Sequence, residues 1–176
     1  MDALERVRQT AILGKEFLVW LWFKSEISDR HFDLGELGIV ELWIDKKIIL
    51  SAENDQGLET VTCIAPNHHF KEARFALAQK KKISEATIRM RLGDDEWSFT
   101  LDATWFNFKS FRGPKVIEDK EEDPEGLFYE KMLIMEKPVI LMNALFRTYI
   151  LIRITPAWDS QERPALEQWI WDGGYR

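Results

Sequence analysis

Cysteine is nearly absent. The single residue, Cys63, excludes an internal disulfide and suits a reducing compartment. No apolar stretch approaches the roughly 20 residues of a membrane-spanning helix. The chain opens on Asp2 and Glu5, where a secretory leader needs a basic start and a small-residue cleavage site. The sequence therefore reads as cytoplasmic, with no membrane span. Phosphate-cradling GxxxxGKS/T, dinucleotide-binding GxGxxG, the GxSxG elbow, HExxH and CxxC are all missing. No catalytic residue, cofactor or metal ligand is assigned. Internal repeats and low-complexity linkers are lacking too, so residues 1–176 are read as one domain.

What is present begins with FLVWLWF, residues 17–23, with two tryptophans, two phenylalanines and two leucines in seven positions. Charged residues bound it on both sides: Lys15 and Glu16 before it, Lys24 and Glu26 after it. Leu4, Val7, Ala11, Leu18 and Leu21 follow three- and four-residue spacings, so the run is the C-terminal half of an amphipathic helix. Apolar on every side, it belongs under a sheet or in a subunit interface.

Downstream, Val40, Leu42 and Ile44 alternate with polar neighbours, and Asp45-Lys46-Lys47 reads as a turn into residues 48–50. SAENDQG is a polar loop before a third strand at Val61 and Cys63, closed by Pro66. Residues 69–79 form a short helix with Asn67 as N-cap. Ile83, Ala86, Ile88 and Met90, then Trp97, Phe99, Leu101 and Ala103, flank Gly93-Asp94-Asp95 as the clearest hairpin. Phe106 and Phe108 reverse that parity, which sets a bulge or strand end near Trp105. Residues 117–126 form an acidic, mobile loop. Pro138 divides the apolar stretch 127–154 into two helices, and residues 164–171 form a last one. The fold class is α+β: an antiparallel sheet of about five strands packed against an N-terminal helix and C-terminal helices.

Two clusters invite metal chemistry. Cys63 with His68 and His69 is short of a zinc site, because adjacent histidines do not readily face one ion and structural zinc takes four ligands. The carboxylates at 118–125 lack the separated, rigid supports of a two-metal nuclease and read as a solvated loop.

The formal net charge of −6 opposes nucleic-acid binding at first sight, but charge is unevenly spread. Between Pro66 and Lys115 ten Lys and Arg face six Asp and Glu, so a +4 island sits in a chain whose remainder carries −10. Lys80, Lys81, Lys82, Arg89, Arg91, Lys109 and Arg112 are the candidate phosphate contacts, with Phe108 and Phe111 interleaved among the last of them.

LGKEFLVWLWFKSE, KEARFALAQKKKISEATIRMRLGDDEWSFTLDATWFNFKSF and FYEKMLIMEKPVILMNALF together resemble the C-terminal half of the recombination-associated protein RdgC family of bacteria. The resemblance implies a non-enzymatic, nucleoid-associated protein that binds DNA with little sequence preference, single- or double-stranded, as a homodimeric ring, and that restrains the RecA recombinase. Lys80, Lys81, Lys82, Lys109 and Arg112 match the family's basic stretches. The family's chains are longer, so the implied partner is a second copy or a counterpart of the family's N-terminal half. The competing reading is a protein-interaction module without DNA binding, docking through Trp20, Trp22, Trp169 and Trp171, since tryptophan is a favoured interface anchor.

Overall fold

The computed structural model describes residues 3–55, 57–65, 70–116 and 124–174. Six strands form one antiparallel sheet: β1 (His31–Asp33), β2 (Ile39–Asn54), β3 (Gly57–Ala65), β4 (Lys82–Leu92), β5 (Asp95–Asp102) and β6 (Phe108–Arg112). They lie in the order β2, β4, β5, β6, and the outer edge of β2 carries β1 at one end and β3 at the other. Four helices accompany them: α1 (Ala3–Ile27), α2 (Lys71–Ala78), α3 (Pro124–Arg153) and α4 (Arg163–Gly174). The α+β class is as expected. The strand count becomes six because two expected strands fuse into β2 while β1 and β6 are added, three and five residues long and too short to show a clear period.

The first expected hairpin is not one. Asp45-Lys46-Lys47 is a bulge inside the 16-residue β2. Ile44 pairs with Ile88 and Ile48 with Ala86, so β2 holds two more residues than β4 over this stretch, and Lys46 adopts φ +58°. An even insertion preserves parity, and Ile44 and Ile48 both reach the core. The polar stretch that follows is also strand as far as Asn54, which pairs with Gly57. Polar turn-forming residues misled here because β4 holds this part of β2 along one edge while β3 pairs from Lys46 onward on the other.

The hairpin of β4 and β5 has the expected register, Ile88 opposite Phe99 and Met90 opposite Trp97. One face of the sheet presents Val40, Leu42, Ile83, Ile88, Trp97, Phe99 and Leu101 to the helices, all buried. Every residue of FLVWLWF is buried as well, so this half of α1 is covered on all sides. Phe17 and Trp20 meet Tyr149 of α3, at ring distances of 5.6 and 5.5 Å. Gly14 fits where α1 crosses the end of β5, because a Cβ there would lie 1.9 Å from the Ala103 carbonyl oxygen. Phe106, Phe108 and Phe111 pack against the same core.

Pro138 does not divide the last apolar stretch. α3 is continuous over 30 residues with Pro138 buried inside it. A proline removes the N–H that would bond the carbonyl four residues back, here Ile134. That carbonyl accepts instead from the indole N–H of Trp97 at 2.9 Å, so the break in the helix ladder becomes a tie to the sheet. Pro124 opens α3, where a missing N–H costs nothing, so residues 124–126 are helix rather than acidic loop; residues 117–123 lie outside the described residues. A π-helical turn, Trp158–Glu162, leads into α4, which begins one residue before the expected start. Asn67 and the two adjacent histidines also lie outside the described residues.

Candidate nucleic-acid interface

The lysine run joins α2 to β4, and its three side chains part company there. Lys80 occupies the left-handed position after α2, at φ +67°. Its N–H bonds the Leu77 carbonyl and that of Lys81 bonds Ala76, the paired closure that ends many helices. Lys80 and Lys82 are exposed. Lys81 is buried and meets Glu59 of β3 at 2.8 Å, so it is a structural ion pair rather than a free cation.

Strand alternation sends Lys82, Arg89 and Arg91 to the sheet face opposite the helices, where β6 adds Lys109 and Arg112. Five of the seven candidate cations thus share one face. Carboxylates share it too. Arg91 pairs with Glu41, Arg89 lies 3.5 Å from Asp45 and 3.4 Å from Glu96, and Lys109 bridges Glu85 at 2.7 Å and Asp102 at 2.9 Å. Burial alone would lift the Asp102 carboxyl. The Lys109 ammonium and the N–H groups of Thr104 and Trp105 outweigh it and hold the group below its usual range. Glu85 and Asp102 in turn raise Lys109.

Lys80, Lys82 and Arg112 have no carboxylate partner among the described residues. Lys82 lies opposite Ser51, and Arg112 is opposite Ser98, itself paired with Arg89. The two cations therefore lie seven steps apart along β4, roughly 23 Å in the strand direction. Near Lys82 the β5–β6 turn folds back, with Ala103 N–H donating to the Ser84 carbonyl at 2.8 Å, and it presents exposed Trp105. Trp43 stands further along the open face with the guanidinium groups of Arg30 and Arg89 at 5.2 and 5.9 Å from its ring. Sequence reading singled out neither tryptophan as a site residue. Alternation placed Trp43 on this face, but its cation neighbours come from two other elements.

The four tryptophans expected at an interface have different surroundings. Trp20 and Trp22 are 2% exposed, covered by their own chain and not by a partner. Trp22 and Trp169 donate to Glu26 at 2.7 and 3.1 Å, and the same carboxylate pairs with Arg74, which lies over the Trp169 ring at 4.2 Å. Glu26 thus clamps α1, α2 and α4 together. Trp171 alone of the four is exposed.

Among the described residues no group of three or more His, Cys, Asp or Glu is placed to hold a metal ion, and no single helix is long and apolar enough to cross a membrane. Burial, with Glu72 nearby, raises the Cys63 thiol, the opposite of a reactive cysteine. No known protein family, curated protein or solved structure matches the chain.

Proposed function

We propose that this chain is a non-enzymatic, RdgC-like accessory protein that binds DNA through the open face of its sheet, without reading sequence. The observation that carries this reading is the gathering of Lys82, Arg89, Arg91, Lys109 and Arg112 on one antiparallel face. The quoted resemblance supports it, since its segments supply α1, α2, β4, β5 and much of α3. Lys82 and Arg112 meet phosphates directly, and Trp105 offers a ring for an unpaired base. The paired cations must exchange a carboxylate for each phosphate, which holds affinity in the non-specific range of about 10⁻⁴ to 10⁻⁶ M. Occupying the strand would restrain a recombinase such as RecA by competition.

Anisotropy of labelled single- and double-stranded DNA across a salt series tests the reading. Removing one phosphate contact flattens the log-affinity against log-salt slope by about 0.7 to 0.9. Lys82→Ala and Arg112→Ala are each expected to do so, whereas Lys81→Ala leaves the slope unchanged because its ammonium belongs to Glu59. No binding at low salt, or equal slopes for all three variants, overturns this reading. The alternative, a protein-interaction module, is favoured by a different observation, the uncovered apolar surface of α3.

A further inference from the structure

α3 has two working faces. Pro138, Leu141, Met142, Leu145 and Tyr149 are buried toward α1 and the sheet. At about 100° per residue these five fall on one side of the helix. Diametrically opposite, a second series advances in alternating steps of four and three residues from Tyr129 to Ile154, whose N–H still bonds the Ile150 carbonyl in helical fashion at 3.1 Å. This is the period of a seam that seats one helix against another. Most of the seam is uncovered, with Leu133 62% exposed and Ile154 73%; Ile150 is half-buried, one side of it resting on the chain's own core. Two charges interrupt it, Glu136 and Arg147, both exposed and neither partnered among the described residues.

Those two charges have opposite signs and stand equally far from the centre of the seam, which is level with residues 141–142. We propose that the seam pairs antiparallel with the same seam of a second copy of this chain, about a two-fold axis at that level. In this register Tyr129 faces Ile154 of the second copy, Leu133 faces Ile150, Ile140 faces Asn143, and Glu136 faces Arg147. The contact is isologous, so each pair occurs twice and the patch must complement itself. A parallel pairing in register sets Glu136 against Glu136 and Arg147 against Arg147, which like-charge repulsion opposes. Phe128, Met132, Val139 and Leu151 flank the seam, all exposed. Together the uncovered apolar side chains offer on the order of 800 Å² per copy, the size of one side of a stable interface. The inference stands on α3 alone and is independent of DNA binding.

Sedimentation equilibrium of the whole chain tests it. The unaltered protein is expected to be a dimer, and Glu136→Arg or Arg147→Glu alone is expected to raise the dissociation constant more than about tenfold. The double exchange, Glu136→Arg with Arg147→Glu, restores the dimer because it rebuilds both ion pairs with their partners reversed. A monomer at about 100 µM, far above a stable interface's dissociation constant, overturns the proposal, and so does a dimer indifferent to single reversals. Failure of the double exchange overturns the antiparallel register. Should a reversal disturb folding, the Ile140→Cys, Asn143→Cys variant decides: oxidation yields a covalent dimer if the seam pairs as described and only monomer if it does not.

Discussion

Lys80 shows how a side chain suggested by its charge can be fixed by its backbone. Its left-handed φ of +67° lets two N–H groups close the end of α2, and this conformation costs a non-glycine residue about 1 to 2 kcal/mol. Glycine removes that strain but enlarges the unfolded ensemble, which takes back about 0.4 to 1 kcal/mol. Lys80→Gly is therefore expected to stabilise the protein by roughly 0.5 to 1 kcal/mol, read from the urea midpoint at constant slope. An alanine variant keeps the strain and leaves the midpoint near that of the parent. Three adjacent lysines look alike in a sequence. Their separate fates, a helix closure, a buried pair with Glu59 and an exposed cation, depend on the α2 terminus and on β3, which lies some 20 residues upstream.

Elements failed to match expectation where a local signal was answered from far away. Pro138 normally ends a helix, but the carbonyl it orphans is taken by Trp97, 37 residues earlier. The Asp45-Lys46-Lys47 turn signal likewise yielded to pairing with strands on both edges. In contrast, the β4–β5 hairpin and the all-round burial of FLVWLWF were legible, because each rests on a period within a few residues. Trp97→Phe keeps an aromatic ring, though a smaller one, and loses the donor; the lost hydrogen bond is expected to cost about 1 to 2 kcal/mol, with a packing loss in addition. With Pro138→Ala, α3 supplies its own N–H to Ile134, so the same Trp97→Phe change loses the hydrogen-bond part of its cost and keeps only the packing part. A double-mutant cycle on urea unfolding measures the coupling, and strict additivity contradicts this account.

Across the molecule, one sheet face is apolar under three helices and the other is a lattice of opposite charges. The individual cations of the basic island were visible in the sequence, but their carboxylate partners were not, since Glu41, Glu59, Glu85 and Asp102 come from four strands brought together only by the register. That lattice makes stability depend on pH. The lowered Asp102 carboxyl contributes stability above its unfolded pKa of about 3.9, and this is lost as pH falls through the lower folded value. The raised Lys109 contributes below about 10.4 and loses its contribution as pH rises through the higher folded value. Comparing urea midpoints of Asp102→Asn and the parent from neutral pH to pH 2, we expect a gap that closes in the acid range; a constant gap excludes the ion pair as its origin.

The burial of FLVWLWF also sets a schedule for synthesis. Residues 17–23 leave the ribosome before Tyr149, Trp158 and Trp169, which roof them and the neighbouring core and emerge some 130 to 150 residues later. At about 5 to 20 residues per second, the most apolar segment of the chain waits on the order of ten seconds for its cover. During that interval the nascent protein carries a sticky, aromatic helix, and its yield in a cell depends on the chaperones that hold such a segment until the C-terminal helices arrive.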